Sequence, residues 1–164
     1  MFTLGVLTIS DGAYQGLRED TSGQAIQELL ASPQYRVRRY EVVPDEMDTI
    51  RQRLTQWADQ DALDLVMTTG GTGLGSRDVT PEATLAVLQR EVPGIAEAVR
   101  FETYKKTPMA MLSRGVAGLR GRTLIINLPG SPRAVRECLE VLLPVLPHAL
   151  ETLRGEAEGH PTGH

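Results

Sequence analysis

Residues 68–82 read TTGGTGLGSRDVTPE, and this stretch decides the fold because of what lies on either side of it. An apolar run at residues 63–67 leads into it and predicts a buried strand. At its end, Thr80, Pro81 and Glu82 predict a helix that Thr80 caps and Pro81 opens. The order is therefore strand, glycine-rich loop, helix.

The loop itself holds glycines at positions 70, 71, 73 and 75 together with several hydroxyl side chains. Glycines leave backbone N–H groups unobstructed, and a following helix adds its positive dipole end, so the pattern indicates a phosphate site. The loop lacks the Gly-Lys-Ser/Thr ending of a P-loop, and its glycine spacing is not that of the dinucleotide motif. A purely structural loop is the alternative that composition leaves open.

Length, composition and net charge limit the classes of protein to which this chain can belong. The chain has 164 residues, 41% hydrophobic and 23% charged, which predicts one globular domain over residues 1–154 and a polar, flexible tail over residues 155–164. A net charge of −4 disfavours general nucleic-acid binding. No charged leader precedes the first strand, and no apolar run approaches the roughly 20 residues of a membrane span. We therefore expect a cytoplasmic protein without a membrane partner.

Strands and helices alternate along the chain. Strands are predicted near residues 4–9, 35–43, 63–69, 116–119 and 122–128, with helices between them. This alternation predicts an α/β fold: a three-layer sandwich with a mostly parallel central sheet. In such a sheet, the loops after Ile9, Thr69 and Asn127 gather at one edge, where ligands bind. Arginines at 36, 38 and 39 favour a solvated edge strand.

Several single residues have two interpretations. Ser10 and Asp11 follow the first strand and stand at the mouth of any site, although Asp11 with Gly12 also fits a simple turn. Asp45 either caps the next helix, which the residues alone favour, or is a carboxylate near phosphates and metal. Cys138 lies in the apolar pattern of the last helix, which predicts a buried thiol instead of a nucleophile.

Three segments become recognisable when taken together: residues 8–11 (TISD), residues 69–82, and residues 127–132 (NLPGSP). They resemble the MogA/MoaB family of molybdenum cofactor biosynthesis. The resemblance covers about residues 4–150, and residues 43–46 and 110–114 also fall where the family has corresponding stretches.

The resemblance implies an α/β domain, usually a homotrimer, that binds molybdopterin and adenylylates it with Mg-ATP, releasing pyrophosphate. The product then passes to a MoeA-type metal-inserting protein. The catalytic residues implied are Asp45, Asp78 and Ser113, with Asp45 and Asp78 also as the Mg²⁺ ligands. The nucleotide-binding residues implied are Thr69, Gly70, Gly71, Thr72 and Gly73. The molybdopterin-binding residues implied are Ser10, Asp11, Asn127, Pro129, Gly130 and Ser131.

Two rival functions follow from the same family. Some MoaB-type members are thought to bind molybdopterin without catalysis, but the acidic pair and Ser113 favour the enzyme here. A scaffold role like that of the gephyrin G domain is disfavoured because we expect no second domain or long linker. If the glycine loop cradles phosphate, a valine at Gly71 is expected to harm ligand binding more than stability.

Overall fold

The computed structural model describes residues 1–156 of the chain, so most of the predicted tail, including His160 and His164, lies outside the described residues. The strands are β1 (Phe2–Ile9), β2 (Tyr35–Val43), β3 (Leu65–Thr69), β4 (Arg90–Glu91), β5 (Ala117–Arg120) and β6 (Thr123–Leu128). The α-helices are α1 (Asp11–Tyr14), α2 (Thr21–Leu29), α3 (Met47–Asp59), α4 (Thr80–Val87), α5 (Pro93–Tyr104), α6 (Pro132–Leu142) and α7 (Leu146–Arg154). A 3-10 helix occupies Pro108–Leu112.

All the strands join one sheet in the order β2-β1-β3-β6-β5-β4. The first four in this order run parallel, whereas β5 is antiparallel to β6 and β4 is antiparallel to β5. The predicted α/β fold with a mostly parallel central sheet is confirmed. No helix in the described part of the chain combines the length and apolarity needed to cross a bilayer.

The sheet buries both of its faces, which explains its continuous apolar strands. One face packs against α2, α5, α6 and α7, with Leu4 and Val6 of β1 in this core. The other face packs against α3 and α4, and there Leu7 and Ile9 meet Trp57, which is 2% exposed. Successive side chains of a strand point to opposite faces, so a single strand supplies both cores.

Strand β2 lies at one edge of the sheet, as its arginines predicted. Arg36, Arg38 and Arg39 are exposed there, and Arg39 forms a bidentate pair with Asp61 at 3.0 Å. Charge along an exposed edge discourages pairing with another chain.

The parallel strands β1, β3 and β6 are neighbours and end at the same edge. Thr69 lies opposite Thr8 on one side and opposite Leu128 on the other, and the Gly70 N–H donates to the Leu128 carbonyl at 3.1 Å. The loops after these strands therefore begin side by side, as predicted.

Local details differ from the sequence-based expectation at several points. Thr80 does not cap α4: Val79 is the N-cap residue, and the Thr80 hydroxyl donates to the Gly70 carbonyl at 2.9 Å. The short elements α1 and β4 were not predicted because neither is long enough to show a period. Prolines 144 and 147 do separate α6 from α7, as expected.

Candidate active site

The glycine loop begins with backbone that only glycine adopts readily. Gly70 has φ +98° and Gly71 has φ +70°. A Cβ at Gly70 would lie 2.2 Å from the Ile9 carbonyl oxygen, and one at Gly71 would lie 2.3 Å from the Thr80 hydroxyl. A valine at Gly71 would therefore strain the loop itself, so a cost in stability is expected beside the predicted loss of ligand binding.

Short hydrogen bonds tie this loop to the loop after β6. The Thr69 hydroxyl donates to the Pro129 carbonyl at 2.6 Å, and the Gly70 N–H donates to the Leu128 carbonyl at 3.1 Å. A Cβ at Gly130 would lie 3.5 Å from Gly70 Cα, so the two loops are in contact. The two segments that carry the resemblance thus share one surface at the sheet edge.

Asp45 lies directly over this loop. A Cβ at Gly71 would stand 3.1 Å from Asp45 Oδ1. The Asp11 N–H donates to Asp45 Oδ2 and the Asp45 N–H donates to Asp11 Oδ1, each at 2.9 Å. Asp45 does not cap α3, whose N-cap residue is Glu46 and has no side-chain cap bond. The capping interpretation is wrong, because the Asp45 carboxylate turns towards β1 and the glycine loop.

Asp78 approaches the loop from its other end. Its Oδ2 accepts from the Gly75 N–H at 2.9 Å and lies 3.0 Å from the positions of a Cβ at Gly73 or Gly75. Burial raises the pKa of Asp45, and the negative charges of Asp11 and Asp78 raise it further, against a lowering by the Asp11 N–H. Asp45 and Asp78 thus stand at the two ends of the loop segment 71–75.

These groups border a cavity of about 500 Å³, which we call the acidic cavity. Of the predicted site residues it is lined by Ser10, Asp45, Thr69, Gly70, Gly71, Asp78, Gly130 and Ser131. Its other charged lining residues are Arg18, Glu19 and Asp20, so four carboxylates face one guanidinium.

The donor set fits a magnesium ion that arrives with a nucleotide. No group of three or more His, Cys, Asp or Glu side chains that could hold a metal ion occurs among residues 1–156. Magnesium needs only one or two carboxylates when substrate phosphates and water supply the other oxygens. Asp45 and Asp78, which both line the acidic cavity, could supply those one or two carboxylates.

A second cavity, of about 550 Å³, lies between α5 and α6 and is called here the basic cavity. Of the predicted site residues it is lined by Ser113, Asn127, Pro129 and Ser131. Ser10 and Gly130, which the resemblance implies for molybdopterin, line the acidic cavity and not this one. Its charged lining residues are Arg100, Lys106, Arg133 and Glu137, and its apolar lining includes Ile95, Val99, Met109 and Ile126. Ser131 borders both cavities, so they meet at the N-terminus of α6.

Two residues of the basic cavity have roles that their surroundings define. The Asn127 amide donates to the hydroxyls of Thr68 and Thr84 at 3.0 Å, and its oxygen accepts from the Val116 N–H. The polar atoms of the Asn127 side chain are thus hydrogen-bonded to other residues at the floor of the cavity. Cys138 is 3% exposed, and burial raises its pKa to about 12, so the thiol stays protonated. The predicted buried thiol is confirmed.

Three predicted site residues do not line either cavity. Thr72 and Gly73 lie in the loop beyond the acidic cavity, and Asp11 turns outwards. Asp11 forms a bidentate pair with Arg77 at 3.0 Å, and this hydrogen-bonded pairing lowers its pKa. It borders a third, more open cavity of about 700 Å³ together with Tyr14.

Sequence reasoning also missed two residues that shape the site. Asp20 caps α2 by accepting from the Gly23 N–H at 2.9 Å, and it also accepts from the Thr8 hydroxyl. Arg114 reaches back to the glycine loop, 36 positions away at Asp78. The Asp-Thr-Ser order gave a usable signal for Asp20, whereas nothing local to Arg114 indicates its distant partners.

Fold and site together define an α/β domain in which two ligand cavities, one acidic and one basic, meet at the carboxyl edge of a mostly parallel sheet. Such edges are where α/β domains bind their ligands. The family model described as a probable molybdopterin binding domain matches residues 5–148, and the chain belongs to this family. The predicted family is confirmed, and it places the chain among proteins of molybdenum cofactor biosynthesis.

The relatives cover nearly the whole chain. A molybdopterin adenylyltransferase of Helicobacter pylori (strain J99) is 47% identical over 156 residues, which is 93% of this chain and 88% of the relative. The molybdopterin adenylyltransferase of Escherichia coli (strain K12) is 43% identical, covering 84% of this chain and 71% of the relative. The crystal structure of the molybdopterin biosynthesis enzyme MoaB from Thermus thermophilus is 58% identical, with a TM-score of 0.90 and coverage of 94% of this chain and 98% of that one.

Proposed function

We propose that this protein transfers the adenylyl group of Mg-ATP to molybdopterin and releases pyrophosphate. The observation that carries the proposal is the meeting of the two cavities at Ser131, with Asp45 and Asp78 beside the glycine loop on the acidic side. Two phosphorylated substrates must come together in this reaction, and two adjoining cavities of opposite charge suit that need. The adenylyltransferase names of the curated relatives support it.

The two substrates differ in what they require of their cavities. The nucleotide phosphates bind over Gly70 and Gly71, where Asp45 and Asp78 would hold the magnesium ion that comes with them. Molybdopterin binds in the basic cavity, whose apolar lining accepts the pterin ring and whose cations Arg100 and Arg133 favour its anionic phosphate. Its terminal phosphate then points towards the junction of the cavities.

In the reaction, a phosphate oxygen of molybdopterin attacks the α-phosphorus of ATP, the new P–O bond forms, and the bond to pyrophosphate breaks. The attacking oxygen is already an anion, so no strong general base is needed. The barrier lies in alignment and in repulsion between polyanions. Bound magnesium supplies charge neutralisation at the transferring phosphate.

The residues of the chain itself hold and orient the reactants. Backbone N–H groups of the glycine loop bind phosphate without a flexible lysine. The Ser113 side chain accepts from the Gly115 N–H at 3.3 Å, which fixes the serine at the border of the basic cavity. The catalytic role of Ser113 and of the acidic pair is part of this proposal.

The assembly and partners are proposals as well. We propose a homotrimer that passes its product to a MoeA-type protein in the cytoplasm. Exposed apolar side chains on α5 and around the 3-10 helix support self-association: Phe101, Tyr104, Met109, Met111 and Leu112. Sedimentation equilibrium of the purified protein measures its subunit number directly.

One assay tests the activity. Purified protein is mixed with molybdopterin and Mg-ATP, and pyrophosphate release is followed by a coupled enzyme, with molybdopterin or magnesium left out as controls. Release that needs all components is the expected result. Tight molybdopterin binding without release would favour the alternative, a non-catalytic molybdopterin-binding protein.

A further inference from the structure

Residues 113–115 form a bridge between the two cavities. Ser113 lines the basic cavity, and the Arg100 guanidinium donates to the carbonyls of Gly115, at 2.7 Å, and of Ser113. Gly115 is buried against Asn127 on the cavity floor. One side of the bridge is thus fixed to the walls of the basic cavity.

Arg114, the middle residue of the bridge, extends to the opposite side and binds the glycine loop. Its own N–H donates to the Thr72 carbonyl at 2.8 Å. Its guanidinium donates through Nε to the Gly73 carbonyl at 2.8 Å and through one terminal nitrogen to the Asp78 carbonyl at 2.7 Å. The other terminal nitrogen pairs with the Glu82 carboxylate at 2.7 Å.

These contacts fall on either side of the most exposed part of the loop. Residues 74–77 are exposed, and they are held by hydrogen bonds between Gly75 and Asp78 and by the pair that Arg77 forms with Asp11. Arg114 grips the loop on both sides of this excursion, at Gly73 and at Asp78. Only a planar guanidinium fork can donate in these several directions at once, and a lysine ammonium cannot reproduce the geometry.

We propose that Arg114 is a positioning residue that fixes the Asp78 carboxylate and the glycine loop relative to the basic cavity. The inference rests on the proposed adenylyl transfer, in which Asp78 helps to hold magnesium. Arg114 touches neither substrate in this arrangement. It acts through the Asp78 and Gly73 carbonyls and through its covalent link to Ser113, so that the two cavities keep one fixed alignment.

The chain contains a matched control at the other end of α4. Arg120 pairs with Asp59 at 2.7 Å and donates to the Val87 carbonyl at 2.9 Å. It therefore joins a carboxylate and a backbone carbonyl, as Arg114 does, but its partners lie outside the glycine loop and line neither cavity. Losing its fork removes the same kind of contact without touching the loop.

The experiment compares Arg114→Lys with Arg120→Lys in the pyrophosphate-release assay, below the melting temperature of both. We expect Arg114→Lys to lower kcat on the order of 100-fold with the KM for molybdopterin within about twofold of the parent, because misalignment affects the transition state more than binding. It should also raise the magnesium concentration needed for half-maximal rate. Arg120→Lys should keep kcat within about twofold.

Hydrogen exchange supplies a readout that does not depend on catalysis. The amides of Gly75, Asp78 and Thr80 should exchange faster in Arg114→Lys and remain unchanged in Arg120→Lys. If Arg114→Lys does not fold, Glu82→Gln, which weakens the same anchor, should show the milder form of both effects. Equal kcat in the two lysine variants, or unchanged loop exchange in Arg114→Lys, overturns the inference. A parent protein without turnover but with the predicted exchange pattern overturns the proposed function alone.

Discussion

The two cavities at the sheet edge are built in opposite ways. In the acidic cavity, the strand ends and the glycine loop supply backbone walls, and four carboxylates face one cation. In the basic cavity, side chains of α5 and α6 supply the walls, and Arg100, Lys106 and Arg133 face one carboxylate, Glu137. The acidic cavity is thus defined by charged side chains set among backbone walls, and the basic cavity by the shape of packed side chains.

The difference between backbone walls and side-chain walls predicts which substitutions each cavity tolerates. A cavity whose walls are backbone keeps its shape when a side chain changes, so its function depends on charge. A cavity lined by helix side chains changes volume with every substitution on the facing surface. A change of charge should therefore impair the acidic cavity most, and a change of side-chain volume should impair the basic cavity most.

The largest effect is expected for Asp78→Asn. The change keeps the side-chain shape and its acceptor for the Gly75 N–H, but it removes a charge needed to hold magnesium. We expect pyrophosphate release to fall at least about 1000-fold with molybdopterin affinity unchanged. Asp48→Asn, at an exposed carboxylate on α3, is the control and should retain full rate. Undiminished turnover by Asp78→Asn would refute the metal-binding role.

Ala96→Phe is the volume test for the basic cavity. Ala96 lines the cavity from α5, and a phenyl ring there would occupy space proposed for the pterin. We expect molybdopterin to bind roughly tenfold more weakly or worse, with Mg-ATP affinity unchanged, as measured by calorimetry. Ala98→Phe, on the exposed side of the same helix, should bind both ligands as the parent does. Weakened Mg-ATP binding instead would reverse the assignment of the cavities.

The sequence predicted the acidic cavity better than the basic one. The loops after β1, β3 and β6 could be placed together because buried apolar runs and glycine or proline signals mark strand ends, and parallel strands bring those ends to one edge. The family resemblance then supplied Asp45 and Asp78. In the structure, Asp45 lies beside Gly71 and Asp78 beside Gly73 and Gly75, and both line the acidic cavity.

The basic cavity was beyond such reasoning, because its walls depend on how α5 and the 3-10 helix pack against α6. Ser113 was assigned by resemblance, yet neither its neighbour Arg100 nor the role of Arg114 had a local signal. Asp45 shows the reverse error: the local pattern favoured a cap for α3, and the tertiary contact with Asp11 overrode it. The local preference of an aspartate to cap a helix is overridden where its carboxylate finds a better hydrogen-bond partner in the tertiary structure.

A smaller effect, in stability, is expected for Asp45→Asn. Burial and neighbouring charge raise the pKa of Asp45 in the folded protein, so the ionised carboxylate opposes folding at pH values above that pKa. The cost is absent below the unfolded-state pKa near 3.8. Asp45→Asn should therefore be at least as stable as the parent in urea at pH 7 and lose this advantage towards pH 4, while its turnover is lost. Destabilisation at pH 7 would show that the contacts with Asp11 outweigh the burial of charge.

The smallest effect is expected for Gly130→Ala, at the boundary where the two cavities meet. Gly130 borders the acidic cavity without a positive φ, and a Cβ there would meet only Gly70 Cα, at an ordinary 3.5 Å. Gly130→Ala should change the free energy of unfolding by no more than about 0.5 kcal/mol while it weakens nucleotide binding a fewfold, because the methyl group narrows the approach to the phosphate loop. Gly94→Ala on α5, whose Cβ would meet nothing within 4 Å, is the control for an added methyl group away from both cavities and should leave binding unchanged. Equal nucleotide affinity in the two variants would mean that the phosphates do not pass between the two loops, and that Gly70 and Gly71 alone form the cradle.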